Sequence, residues 1–200
     1  KNTGGMGCYS PSRLLSHELS EKINKKIIDP TLRAIKDLGD QYVGFLYVGL
    51  MIKNNNPFLV EFNVRMGDPE CQTILPLLEN DLTKLLLNCC LGKLNEEEVK
   101  LSDKKSICIV LCSKGYPDKY DQNILIDGLN NLYLKENEYI FHAGTKLENS
   151  KIFSKGGRVL NFVSLSNDFK KSREELINLI TQLNWYNGFF RKDIGNKVIN

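Results

Sequence analysis

Residues 57–70 read PFLVEFNVRMGDPE. The first seven are rich in β-formers, and a second strand-like run, YVGFLYVGLMI at 42–52, stands before them across the polar connection Lys53–Asn56. Two such runs around a short Asn-rich link predict an antiparallel hairpin. Side chains alternate along a strand, so Glu61 and Asn63 share one face while Phe62 points to the other. A carboxylate beside an amide oxygen is a donor set that a hard cation such as Mg²⁺ accepts, its remaining ligands coming from water and phosphates. A strand edge with two solvated polar residues reads the same way. Directly after it, Arg65 stands where a cation can neutralise a transferring phosphoryl group. Gly67 allows a tight turn and Pro69 stiffens it. Asp68 and Glu70 beside one Arg also describe a structural ion-pair loop.

Working outward, residues 1–12 (KNTGGMGCYSPS) read as a loop on their Gly, Ser and Pro content. Within it, Thr3-Gly4-Gly5-Met6-Gly7 offers backbone N–H groups that can approach an anion closely, although it fits neither the Walker A nor the GxGxxG pattern. Leu19, Ile23, Ile27 and Ile28 recur at helical spacing. Asp29 followed by Pro30 then predicts the capped start of a second helix, ended by Gly39. Residues 72–91 place Leu75, Leu78, Leu82, Leu85 and Cys89 on one face, predicting a long buried helix stopped by Gly92.

From Gly92 to Lys105 the chain turns acidic and lysine-rich, which marks a boundary. Beyond it, strands are expected at 106–112, 139–142 and 158–165. Ser172 with Glu175 forms a capping box opening a helix through about Leu183. The expected architecture is α+β in two units, residues 1–100 and a small strand-rich domain at 101–200. Gly156-Gly157-Arg158 and Arg191-Lys192-Asp193 are further basic, turn-like spots. His142, alone at a strand end, reads as structural.

Composition narrows the function classes. Lys+Arg at 27 against Asp+Glu at 24 leaves a charge of +3, with the basic residues spread along the chain. A nucleic-acid binder shows a basic stripe, and there is none in this sequence. No apolar run approaches the ~20 residues of a membrane span. The cysteines at 8, 71, 89, 90, 108 and 112 form no CxxC pair and no Cys/His cluster, so buried reduced thiols in a cytoplasmic protein are expected rather than zinc.

In order along the whole chain stand NTGGMGCYSP, GFLYVGLM, EFNVRMGDPECQTILPLLENDL, FHAGT, GGRVL and FFRKDIG. Together they resemble the C-terminal half of the phosphoribosylamine–glycine ligase (glycinamide ribonucleotide synthetase) family, ATP-grasp enzymes of purine synthesis. Cys8, Met66 and Cys71 replace the alanine, phenylalanine and threonine usual there, and Lys1 stands where proline is frequent. Apart from that threonine, every polar residue of the motifs is kept.

The resemblance implies the C-terminal half of an ATP-grasp domain, an antiparallel sheet with helices, followed by the small domain. It implies that Glu61 and Asn63 hold the Mg²⁺ or Mn²⁺ bridging the phosphates of ATP, and that Arg65 stabilises the γ-phosphoryl group. Thr3, Gly4, Gly5 and Gly7 of the glycine loop, with Asp68 and Glu70, would line the pocket for glycine and phosphoribosylamine. Arg158 is the candidate to grip a substrate phosphate. Another carboxylate–amine ligase of the same fold, or a non-catalytic scaffold segment, are the alternative functions. The chain lacks an initiator Met and opens on its own glycine loop, so a longer protein is expected. Its N-terminal part would carry the adenine contacts and the lid, leaving these 200 residues inactive alone.

Overall fold

The computed structural model describes residues 3–199. In chain order they form β1 (Gly7–Ser10), α1 (His17–Ile23), α2 (Asp29–Asp37), β2 (Tyr47–Lys53), β3 (Asn56–Asn63), α3 (Glu70–Ile74) and α4 (Leu82–Cys90). There follow β4 (Lys105–Ser113), β5 (Glu138–His142), β6 (Thr145–Glu148), β7 (Lys151–Ser154), β8 (Arg158–Ser166), α5 (Phe169–Leu183), β9 (Gly188–Phe189) and α6 (Asn196–Ile199). The chain forms two compact units. One is Pro11–Gly67 with Leu78–Leu101; the other joins the described residues up to Ser10 to Asp68–Leu77 and the segment from Ser102 onward.

In the first of these units, Ser16 caps α1 by accepting from the Leu19 N–H at 3.1 Å. Leu19, Ile23 and Ile27 are buried, as their spacing predicts. Asp29 does not open a fresh helix. Its backbone stays helical, and a π turn over Asn24–Ile28 carries α1 straight into α2. A wide turn at that point accommodates the donor that Pro30 lacks, so the chain need not break. Gly39, at φ +96°, ends α2 and donates to the Lys36 carbonyl at 3.0 Å.

The hairpin forms as read, though β2 begins only at Tyr47. Asn54 and Asn55 both have left-handed backbone, φ 51° and 56°, which gives the primed two-residue turn that matches strand twist. The pairing runs from Lys53↔Asn56 to Tyr47↔Asn63, with a shift between Gly49 and Leu50. Gly49 opposes Glu61 while Leu50 opposes Leu59, so Val60 is the extra, bulged residue.

The long helix expected at 72–91 is broken. α3 ends at Ile74 and gives way to a 3₁₀ turn, Leu75–Leu77. Leu78 then bridges Leu101, and α4 starts afresh on Asp81, whose side chain accepts from the Lys84 N–H at 3.1 Å. Pro76 cannot continue the ladder, and Asn80 and Asp81 favour caps over helix interiors. Asn80 instead bonds the Lys100 N–H and the Glu98 carbonyl, at 2.6 and 3.0 Å. Gly92, at φ +69°, stops α4 as read.

The second unit is built on an antiparallel sheet in the order β1-β4-β8-β5, with β9 also on β4. β4 and β8 are buried along both faces, hence the near-continuous apolar run SICIVLC. On one face Ile107, Ile109, Leu160 and Phe162 pack with Leu176, Leu179 and Ile180 of α5. On the other, Cys108, Val110, Val163 and Leu165 pack with Met6 and Leu77.

Two expectations change here. Residues 7–10, read as loop, form the edge strand β1, pairing Gly7↔Ile109 through Ser10↔Ser106. The edge of β4 needs backbone partners, a demand local composition does not reveal. α5 is capped by Asp168, which accepts from the Lys171 N–H at 2.9 Å, not by Ser172. Ser172 lies one turn inside the helix, fully buried, its hydroxyl on that of Ser166 at 2.9 Å. Glu175 takes the Ser164 hydroxyl and Lys135 rather than a helix N–H. The short β6–β7 hairpin and β9 carry too few β-formers to be legible in advance. No described helix is long and apolar enough to cross a membrane.

Candidate active site

Glu61 and Asn63 end β3 on one face, as alternation requires, and the Asn63 amide N–H donates to the Glu61 carboxylate at 3.0 Å. That bond spends the amide nitrogen and leaves the amide oxygen as the donor atom beside the carboxylate. The stem of Glu61 crosses Gly49, where a Cβ would stand 2.9 Å from Glu61 Cγ. Gly49 thus makes the room Glu61 occupies, a role the sequence did not disclose. Arg65 follows, its guanidinium donating to the Met66 carbonyl at 2.9 Å. No described group of three or more His, Cys, Asp or Glu side chains gathers where one ion could be caged. One carboxylate and one amide oxygen nevertheless fit Mg²⁺, which is commonly held by one or two protein groups plus phosphates and water.

A second constellation lies within the sheet-built unit. Arg158 opens β8, and its Nη1 donates to the Asp68 carbonyl at 2.8 Å and to the Gly5 carbonyl at 3.3 Å. Its Nη2 meets the Asp68 carboxylate at 3.1 Å. Asp68 also accepts from Gln72 at 3.1 Å. Glycine is required at position 5: φ is +85°, and a Cβ would collide with Arg158 Nη1 and stand 2.9 Å from the Asp68 carbonyl. At Gly7 a Cβ would stand 2.8 Å from the Cys108 carbonyl, so that glycine lets β1 lie against β4. Gly4 faces open space. Glu70 opens α3, half-buried. Gly5, Asp68 and Arg158, far apart in sequence, therefore form one hydrogen-bonded group.

Tyr116, which was not singled out from the sequence, reaches the same glycine loop. The Thr3 hydroxyl donates to Tyr116 Oη at 3.2 Å. Its only sequence signal is its place between Gly115 and Pro117 in SKGYP, a turn-like stretch. Arg191, by contrast, is paired with Asp193 at 2.9 Å, and His142 bonds Thr145 across the turn at 2.9 Å.

The thiols are free. Burial pushes Cys8 up to about 12, against the pull of Thr73, whose hydroxyl lies 2.7 Å from its sulfur. Burial raises Cys108 well above the ordinary thiol value, and Cys112 to about 12. These protonated sulfurs beside the glycine loop are poor nucleophiles. Cys90 departs from the buried-thiol expectation: it lies exposed at the end of α4.

The fold has solved counterparts. The biotin carboxylase domain of Hydrogenobacter thermophilus 2-oxoglutarate carboxylase, solved with MgADP and bicarbonate, shares it at TM-score 0.60 and 13% identity, over 88% of this chain and 38% of that one. At that identity the likeness is one of fold.

Residues 1–71 match the phosphoribosylglycinamide synthetase ATP-grasp (A) domain, and residues 106–197 match the C domain of the same synthetase. The chain belongs to the phosphoribosylglycinamide synthetase family. It is 41% identical to the chloroplastic phosphoribosylamine–glycine ligase of Arabidopsis thaliana, over 99% of this chain and 38% of that protein. It is also 41% identical to the enzyme of Vibrio parahaemolyticus, over 99% of this chain and 46% of that protein. The structure of the Thermotoga maritima ligase superposes at TM-score 0.83 with 31% identity, covering 98% of this chain and 47% of that one. The chain spans less than half the length of these relatives.

Proposed function

We propose that this chain is the C-terminal portion of a ligase that joins glycine to phosphoribosylamine at the expense of ATP. The carrying observation is Glu61 beside Asn63 at the end of β3, with Arg65 two residues on. In this reading Glu61 and Asn63 hold Mg²⁺ or Mn²⁺, which when bound draws charge from the ATP phosphates. Arg65 neutralises the γ-phosphoryl group as it moves to the glycine carboxylate, giving glycyl phosphate and ADP. The amine of phosphoribosylamine then attacks the acyl carbon, phosphate leaves, and an amide forms. Thr3, Gly4, Gly5, Gly7, Asp68 and Glu70 line the pocket for these two substrates. Further N–H groups of the Arg158 guanidinium grip the substrate phosphate. No protein nucleophile is needed, in keeping with the protonated buried thiols.

Residues 1–100 and 101–200 are proposed as the ATP-grasp portion and the small C-terminal domain of a cytoplasmic enzyme. The remaining length of the relatives is assigned the adenine contacts and lid. Support comes from β2 and β3, a separate two-stranded sheet that leaves Met51, Phe58, Leu59 and Val60 exposed. Such a ribbon is marginal alone, and a covering partner layer would bury those side chains.

The test is ADP release by the full-length protein with glycine, alanine or bicarbonate as the acceptor, beside the isolated 200-residue chain. Release that requires glycine and the full-length protein is expected. Equal release with bicarbonate, or robust turnover by the isolated chain, overturns the reading.

A further inference from the structure

Thr3 and Gly5 meet side chains arising more than a hundred residues later in sequence, at Tyr116 and Arg158. The two anchors have a common base. The ring of Tyr116 lies on Gly157, where a Cβ would stand 2.7 Å from Tyr116 Cε2, and Arg158 is the next residue. Tyr120 approaches the same ring edge-on, centroids 6.2 Å apart at 61°. The Tyr116 N–H donates to the Ser113 carbonyl at 3.1 Å, and Tyr116 packs beside the cluster that holds buried Met6. The ring is therefore held from several sides, and its hydroxyl is presented at a fixed place to the Thr3 side chain. Met6, the residue after Gly5, is sealed into the core. A glycine loop that binds an anion through backbone N–H groups loses conformational entropy on binding unless it is already held.

We infer that Tyr116 is a positioning residue, holding the glycine loop in its anion-binding shape in concert with Arg158 at the start of β8. The inference rests on the loop serving the glycine and phosphoribosylamine pocket. Tyr116 touches no reacting atom; it acts through Thr3. The role is served by the hydroxyl, whereas the ring serves packing, so the two are separable by substitution.

The experiment uses the full-length protein and Tyr116→Phe, which deletes the hydroxyl and keeps the ring. Amide hydrogen exchange in the peptide covering residues 3–8 is expected to quicken about fivefold, the worth of one ordinary hydrogen bond. The KM values for glycine and phosphoribosylamine are expected to rise by about the same factor, with kcat and the KM for ATP within about twofold. On a Thr3→Val background, where that bond is already lost, Tyr116→Phe should add nothing further to either readout. Wild-type loop exchange in Tyr116→Phe, or a fall in melting temperature with an unaltered KM pattern, overturns the inference. A loosened loop in a protein whose wild type shows no glycine-dependent ADP release would leave the anchor standing and remove the functional reading.

Discussion

Glu61→Gln in the full-length protein is expected to cut glycine-dependent ADP release by at least about a hundredfold, the scale on which a lost charge-stabilising group acts. Glutamine keeps the shape of Glu61 and can still accept from the Asn63 amide, whose bond to the carboxylate is 3.0 Å. The stem still fits over Gly49, which has no Cβ to oppose it. What disappears is the negative charge that an oxygen-ligated divalent cation needs. Glu61 is exposed, so folding stability should move by no more than about 0.5 kcal/mol. A large rate loss at constant melting temperature therefore separates a metal ligand from a solvated strand end. An unaltered rate would make Glu61 a solvated strand end and not a metal ligand.

The second large effect is on stability. Gly5→Ala is expected to destabilise the full-length protein by about 3 kcal/mol in denaturant unfolding. Left-handed backbone costs a non-glycine residue roughly 1–2 kcal/mol, and Gly5 sits at φ +85°. The new methyl also falls on Arg158 Nη1, which must withdraw from the carbonyls of Gly5 and Asp68. Losing those charge-assisted bonds accounts for the remainder. Gly4→Ala is the internal control. It meets nothing within 4 Å, and its expected cost stays under about 1 kcal/mol. Equal costs at the two positions would contradict the packing described here.

Much of this was legible in the sequence because it is local. The Asn-Asn turn, the alternation that sets Glu61 beside Asn63, and the glycines ending α2 and α4 depend on neighbours a few residues away. The failures have a common cause in longer-range context. Pro30 predicts a helix start, yet a π turn carries the helix through it. Helical periodicity runs from 72 to 91, yet Pro76 and the Asn80–Lys100 pairing break the helix. Residues 7–10 look like loop until β4 is present to pair with them. Ser172 looks like a cap until Asp168 has already taken that place.

The site divides in the same way. EFN and the residues after it announce their chemistry through adjacency. Spacing alone marked Arg158 only as a basic turn residue, because its partners at Gly5 and Asp68 are 153 and 90 positions away. Tyr116 carried no local signal beyond its turn in SKGYP, since its meaning comes from Thr3, 113 residues upstream.

The central claim is that a carboxylate is activated as an acyl phosphate and then captured by an amine. Glycine labelled with ¹⁸O in both carboxylate oxygens, given to the full-length protein with ATP, Mg²⁺ and phosphoribosylamine, tests it directly. If glycyl phosphate forms, one carboxylate oxygen leaves with the phosphoryl group, and the inorganic phosphate recovered by mass spectrometry carries one ¹⁸O per turnover. Inorganic phosphate free of the label would contradict the account.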